Sequence, residues 1–286
     1  MRIAVTAASG ALGAETINQL QALGLRHEII GIARTVSKVR VPCTEIRQAD
    51  YNDFKSFVSA LKDIDQLVII PSTSPAPERV KQHENIIQAA IENSVNHVLF
   101  TSIATKKTEG KFNDIIGSLR QTEQRLASSG LGFTIARNGV YLEPDLEYIQ
   151  SYIKDGAIIN CAGEGKCAYT SRPELGYAYA RILTTQGHKG QTYNLCGIPI
   201  TQHQLAWHIN EVYHTQLVYQ PVPFEDYQRD RKQALGDELG DIIAGIYHGL
   251  SLGSGDIVSD FSRATGRAHM GYIEIIRQFR KQHQRL

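Results

Sequence analysis

Cysteine is scarce and poorly arranged. Cys43, Cys161, Cys167 and Cys196 form no Cys-x-x-Cys pair and no spacing that suits tetrahedral zinc. A disulfide scaffold is therefore excluded and a reducing compartment is expected. The ten histidines form no His-x-x-x-His pair, so a metalloprotease-type helix is excluded and no metal is expected. No apolar run approaches the roughly 18 residues of a membrane span, and the first strand is read from residue 2, so no export leader is expected. A formal net charge of +1 over 286 residues gives no global field for nucleic acid or a membrane surface. The locally basic stretch 277–285 follows an apolar stripe of Ile273, Ile276 and Phe279, the pattern of a helix docked on its own domain. A cytoplasmic chain with neither nucleic-acid nor membrane partner is expected; whether it forms a homo-oligomer is left open.

The apolar residues, 42% of the chain, suffice for one large or two modest domains. The most informative stretch is the first, MRIAVTAASGALG. Ile3 to Val5 suits a strand buried on both faces, Thr6 to Gly13 supplies a small-residue turn, and Ile17, Leu20 and Leu23 recur at helical spacing from Glu15 onward. Strand, tight loop, helix is the order in which unpaired N–H groups and the helix dipole converge on an anion, the arrangement that holds a dinucleotide pyrophosphate. Against a Gly-x-x-Gly-x-x-Gly fingerprint the chain keeps Gly10 and Gly13 but places Ala7 first. Ala7 adds a Cβ at a position of close approach, the mildest such change. The plain alternative is a turn whose small residues serve packing alone. The expected cofactor contacts are Thr6, Ala7, Ser9, Gly10, Ala11, Leu12 and Gly13.

A second apolar run, Glu28 to Ala33, ends at Arg34 with Lys38 just beyond. About 20 positions past the glycine loop an acidic residue would take the ribose 2′-hydroxyl, whereas an arginine accommodates a 2′-phosphate. No Asp or Glu occurs between Ile29 and Thr44, so NADPH is expected over NADH, with Arg34 and Lys38 as its partners. Further apolar runs at 44–51, 66–70, 97–101 and 133–136 alternate with helical segments at 53–61, 79–93 and 115–128. These β-α repeats without period-2 alternation predict a Rossmann-type, doubly wound parallel sheet of the α/β class. In such a sheet the strand ends face the ligand, which adds Asp50 and Tyr51 on the adenine side and Pro71, Ser72 and Thr73 as cofactor contacts. Tyr51 and Lys55 also spell Tyr-x-x-x-Lys, but on the wrong side of the sheet for an acid/base pair beside a nicotinamide. Past residue 142 the regularity changes. A division into a Rossmann domain, 1–142, and a smaller α/β lobe on the substrate side, 143–286, follows, with the chain returning to the sheet near 192–196. The turn-rich stretch Gly163 to Arg172 is expected to help close the cleft.

Taken together, Thr6 to Gly13, Arg34, Gln48-Ala49-Asp50-Tyr51, Thr101-Ser102, Thr122-Glu123, Ser129-Gly130, Arg137-Asn138-Gly139 and Gly163-Glu164-Gly165-Lys166 resemble the NmrA-like branch of the atypical short-chain dehydrogenases. Within that branch the set is most similar to the bacterial NADPH-dependent quinone oxidoreductases, and the resemblance extends to Asp260-Phe261-Ser262 and Thr265-Gly266-Arg267. It implies a cofactor-binding Rossmann domain, a small lobe closing over the nicotinamide, and hydride transfer to a quinone-like small molecule without flavin or metal. It also implies cofactor and cleft contacts along Asn138 to Glu143, including Asn138 and Gly139. One departure bears on mechanism: the family's His or Lys ahead of the Thr-Glu pair is replaced around Ser118-Leu119-Arg120.

Quinone reduction tolerates that loss, because the phenolate formed is a weak base that solvent can protonate, whereas a ketone would leave a strongly basic alkoxide. Ser102, Asn138 and Tyr141 are the candidate catalytic hydroxyl and amide groups. Each has a plain structural alternative: Ser102 as a loop cap, Asn138 in a left-handed turn, Tyr141 as packing beneath the second lobe. The competing functional class is a non-catalytic NADP(H)-sensing regulator that binds a protein partner. A weaker one is an epimerase or isomerase acting on a nucleotide-linked substrate.

Overall fold

Ile3, Ala4 and Val5 are all fully buried, so the first strand is covered on both faces, as a central strand of a parallel sheet must be. The computed structural model describes residues 1–24, 26–106 and 110–283. Residues 107–109 of the polar loop after the fifth strand, and 284–286 at the end of the basic tail, lie outside the described residues. The first six strands are β1 (Arg2–Val5), β2 (Glu28–Ala33), β3 (Glu45–Gln48), β4 (Gln66–Ile69), β5 (His97–Ile103) and β6 (Phe133–Asn138). They pair in parallel in the order β3-β2-β1-β4-β5-β6, and the strand Gln191–Leu195 adds to β6 as a seventh. The order reverses beside β1, between β1 and β4, and ligands bind outside the strand ends at such a point.

Successive residues of β1 point to opposite faces and so feed different cores. Ile3 and Val5 join Leu12, Ile17 and Leu20 of α1 (Ala11–Ala22) and Leu175, Tyr179 and Ile182 of the helix Arg172–Thr184. Ala4 joins Phe57 of α2 (Phe54–Ala60), Ile86 and Ile87 of α3 (Ala76–Glu92) and Leu119 and Leu126 of α4 (Gly110–Ala127). The predicted helices begin earlier than their apolar stripes. α1 starts at Ala11 rather than Glu15 because Gly10 serves as its N-cap. α3 starts at Ala76 because proline is tolerated in a first turn, whose N–H groups have no intrahelical partner.

A separate core gathers Leu142, Leu146, Ile158, Tyr169, Leu205, Ile209, Tyr272 and Ile276. Around it, Val140–Tyr141 pairs with Tyr169–Thr170, and Ala157–Asn160 with Val218–Pro221. The helix Gln202–Tyr213 is held at its start by a capping box between Thr201 and Gln204. The basic tail forms the helix Tyr272–His283, whose Ile275, Ile276 and Phe279 are buried. Two further helices, Phe224–Leu235 and Asp237–Ser251, pack on one another, and the second reaches α4. No helix among the described residues is long and apolar enough to cross a membrane.

Candidate active site

The loop after β1 is built by backbone. Ala7 stands in the left-handed region, at φ 50°, which costs a residue with a Cβ about 1–2 kcal/mol. The strain turns its carbonyl toward the Gly10 N–H, which donates to it at 2.8 Å. A Cβ on Gly13 would lie 2.3 Å from that same carbonyl oxygen, so only glycine fits where α1 crosses beneath the loop. Gly10 offers α1 no side-chain cap, the first turn carries no acidic residue, and Ser9, Gly10 and Ala11 are exposed. The first N–H groups of a helix have no intrahelical partner, so this end is open to an anion in a cradle that further side chains would fill. That is the geometry a dinucleotide pyrophosphate needs.

Thr6, behind the loop, is fully buried and ties two strand ends together. Its Oγ1 accepts from the Ile70 N–H at 2.9 Å and lies 2.8 Å from the Tyr51 hydroxyl, which donates to the Ile70 carbonyl at 2.7 Å. Burial pushes the Tyr51 phenol up, so it stays protonated in this role. Asp50 accepts from the Asn52 N–H at 2.9 Å and its own N–H donates to Ser56 Oγ at 3.0 Å, shaping the entry to α2. Arg34 directly follows β2 and Lys38 ends the short 3₁₀ turn Val36–Lys38. Both are exposed, and neither forms an ion pair among the described residues. Gly139 sits at the junction with the second core: its N–H donates to the Leu195 carbonyl at 3.0 Å, and a Cβ on it would lie 2.3 Å from the Ala168 carbonyl oxygen.

A cleft of about 870 Å³ opens at the strand ends. It runs from Leu12 on α1 past Ile70 to Thr73, Thr101 to Ile103, Asn138 and Tyr141, with Phe112, Ile115 and Leu119 of α4 as its apolar wall. Ser102, Asn138 and Tyr141, which come from β5, β6 and the strand after it, thus share one cavity. Parallel strands bring their carboxyl ends to one edge, so residues far apart in sequence converge there. The roof is Leu235 to Ile242, from the two packed helices. The stretch 163–172 does not line the cleft: Gly165 lies against the Leu250 backbone, and only Arg172, 5.3 Å from the centre of the Tyr141 ring, reaches toward it.

The Ser102 hydroxyl donates to Glu123 Oε1 at 2.6 Å and accepts from Arg120 Nη1 at 3.0 Å. Glu123 also takes both a 3.1 Å and a 2.6 Å bond from Arg137, and contacts Arg120 directly. Burial alone would raise the Glu123 carboxyl; Arg137, Ser102 and Arg120 together hold it below its ordinary value. Arg120 also donates to the Ile103 carbonyl at 2.8 Å. At the place where the resemblance leads to the expectation of a His or Lys, Leu119 faces the cleft, Ser118 is spent on the Ile115 carbonyl at 2.6 Å, and Arg120 reaches Ser102. Asn138 is strand backbone rather than a left-handed turn, and its Oδ1 accepts from Tyr179 at 2.6 Å. Burial raises the Tyr141 phenol, partly offset by the Asn138 side chain and the Arg172 charge.

Sequence reasoning passed over the Arg120–Glu123–Arg137 cluster, the roof, and Arg79. Arg79 follows a proline-rich loop and is read from the sequence only as the start of a helix, yet it is only 5% exposed and its Nε has no hydrogen-bond partner. The Thr-Glu pair with Arg137 fourteen positions on was the available signal for the cluster; the roof carries none.

A parallel sheet with strand order 3-2-1-4-5-6, an uncapped helix after a glycine loop and a cleft at the switch point define a Rossmann dinucleotide-binding protein. Residues 7–157 match the family model described as NAD(P)H-binding, and the chain belongs to that family. It is 33% identical to Quinone oxidoreductase 2 of Escherichia coli (strain K12) over 258 residues, 88% of either chain. It is also 29% identical to an NmrA-like family domain-containing oxidoreductase of Aspergillus flavus over 74% of this chain and 71% of that one. The crystal structure of a Citrobacter sp. triphenylmethane reductase complexed with NADP(H) superposes with a TM-score of 0.88 at 30% identity, covering 97% of this chain and 99% of the other.

Proposed function

We propose that the chain is an NADPH-dependent reductase of quinones or similar conjugated acceptors. The observation that carries this is the continuity of the uncapped α1 end with an apolar cleft whose polar groups stand at one strand edge. The names of the relatives, a quinone oxidoreductase and a dye reductase, point the same way. The backbone of Ser9 to Gly13 would hold the pyrophosphate, Arg34 and Lys38 the 2′-phosphate, Asp50 and Tyr51 the adenine side, and Pro71 to Thr73 with Asn138 and Gly139 the inner half. Bound there, the reduced nicotinamide supplies hydride. Residues 1–142 form the cofactor-binding part and 143–286 the acceptor-side part, which lends the helix Arg172–Thr184 and the strand Gln191–Leu195 to the sheet.

Within the cleft Tyr141 keeps its proton at neutral pH and can hold an acceptor oxygen through a hydrogen bond, with Asn138 fixing its orientation. Ser102 directs its proton toward Glu123 and so positions the site rather than acidifying it. The apolar wall of Phe112, Ile115 and Leu119 excludes water from the ring being reduced. No metal step is invoked. The reading places the enzyme in the cytoplasm, working on a small molecule, as a monomer or homo-oligomer.

The test is loss of NADPH absorbance on adding a naphthoquinone, with the Arg34→Asp variant run beside the wild type. Quinone-dependent oxidation is expected, with NADPH preferred over NADH. Arg34→Asp should cut that preference by about tenfold or more, the worth of one charge-assisted phosphate contact. Normal NADPH binding without quinone-dependent turnover would overturn the proposal.

A further inference from the structure

Arg79 is a buried cation with no counter-ion among the described residues. It lies in the first turn of α3 and lines both the main cleft and an adjoining pocket of about 260 Å³. Its Nε has no partner and no carboxylate pairs with it among the described residues. Its titratable surroundings are few. His83, one turn on, is bonded through Nδ1 to Thr122 at 2.8 Å and stays neutral, its pKa pushed down to about 3 by burial and by Arg79 itself. Lys111 is occupied by Asp241 at 3.3 Å. Asp114 borders the adjoining pocket, and Asp237 and Glu238 stand in the roof, none within ion-pair distance of Arg79. Taking a guanidinium out of water without a partner costs several kcal/mol. A fold that retains it beside an open, mostly apolar cleft has left room for a negative group to arrive.

We propose that Arg79 recognises an anionic oxygen on the acceptor, so that the preferred substrates are conjugated rings bearing or developing such an oxygen. This rests on the cleft being the acceptor site. When the acceptor takes up hydride, a proton with two electrons, its ring is reduced and one former carbonyl oxygen is left as an oxyanion, which water then protonates. A fixed guanidinium facing that oxygen favours the charge as it forms. A carboxylate or sulfonate on the ring would use the same partner in the ground state.

The test uses two redox-inert probes, 2-naphthoate and its neutral isostere 2-naphthamide, titrated calorimetrically into protein saturated with NADP⁺. Wild type is expected to prefer the carboxylate by about tenfold or more, a charge-assisted contact. Arg79→Met should abolish the preference while leaving NADP⁺ affinity unchanged, and Arg79→Lys should retain part of it. Equal binding of the two probes by wild type overturns the proposal without any variant having to fold. So does an Arg79→Met variant that weakens both probes alike, the result if Arg79 merely latches the roof through Asp237 or Glu238. A matching loss of NADP⁺ affinity also overturns it, by assigning Arg79 to the cofactor. Turnover of 1,2-naphthoquinone and its 4-sulfonate then separates the two sources. A higher KM for the sulfonate alone in Arg79→Met marks a ground-state substituent, and a lower kcat for both marks the developing oxyanion. A probe preference in a wild type that reduces no quinone would overturn the quinone reading and leave the anion site standing.

Discussion

At one end of the cleft the loop from Ala7 to Gly13 presents backbone: a strained left-handed alanine, a glycine that admits no Cβ, and N–H groups that nothing caps. At the other end the working groups are side chains from several elements that hold one another, with Ser102 on Glu123, Glu123 on two arginines, and Asn138 under Tyr179. A backbone site recognises what every dinucleotide shares and tolerates little change in shape. A side-chain site can be retuned residue by residue, at the risk of leaving a buried charge unpaired. The two ends should therefore fail differently when they are altered.

The largest effect is expected from Gly13→Val. Its Cβ would meet a backbone oxygen that no rotamer can move aside, so α1 must shift away from the loop and the anion site opens. Such overpacking costs about 1–3 kcal/mol of stability, and with the N–H groups displaced from the pyrophosphate NADPH affinity by fluorescence titration is expected to fall about 100-fold, about 2.7 kcal/mol of binding. An affinity within a few fold of wild type would show that the cofactor does not depend on this loop, and the comparison would lose its first half.

That end of the molecule was legible in the sequence because its determinants are local. Ile3 to Val5, the small-residue turn and the amphipathic segment lie within one stretch of chain, and glycine carries its own geometric meaning. The convergence of Ser102, Asn138 and Tyr141 was legible at one remove, because a parallel sheet gathers strand ends whatever residues they bear. The remainder was hidden for physical reasons. Arg120 and Arg137 meet at Glu123 from a helix and a strand, and nothing in an i, i+3, i+4 pattern says which arginine turns inward. Leu235 to Ile242 roofs the cleft only because two late helices pack on one another and the second of them packs on α4. The same holds for Arg79, whose burial follows from α4 and the roof closing over it rather than from its own neighbours.

Glu123→Gln probes the side-chain end. It leaves Arg120 and Arg137 facing a neutral amide, and because Arg137 is about one-third exposed the loss is discounted to about 2 kcal/mol of stability in urea unfolding at pH 7. The pH dependence gives the sign. The folded carboxyl sits below the ordinary 4.5, so the stability it contributes is present above that pH and is lost as pH falls through the folded value. The gap between wild type and Glu123→Gln should accordingly shrink on going from pH 7 to below 4.5. A gap that stays constant would assign the loss to packing rather than to charge, and NADPH affinity, set at the other end, should stay within about twofold throughout.

The smallest effect is expected from Ala7→Gly, and its sign is what matters. Relief of the left-handed strain is worth about 1–2 kcal/mol, while the added freedom of glycine in the unfolded chain takes back about 0.4–1 kcal/mol. The variant should thus be slightly more stable, with a melting temperature raised by about 1–3 °C for a chain of this size and NADPH bound at least as tightly as before. A lower melting temperature would mean that the Ala7 methyl, partly buried against the core shared by α1 and the helix Arg172–Thr184, contributes more than its backbone costs. The loop would then be a packed structural turn in which strain is incidental, and recognition of the dinucleotide would rest on the α1 N-terminus alone.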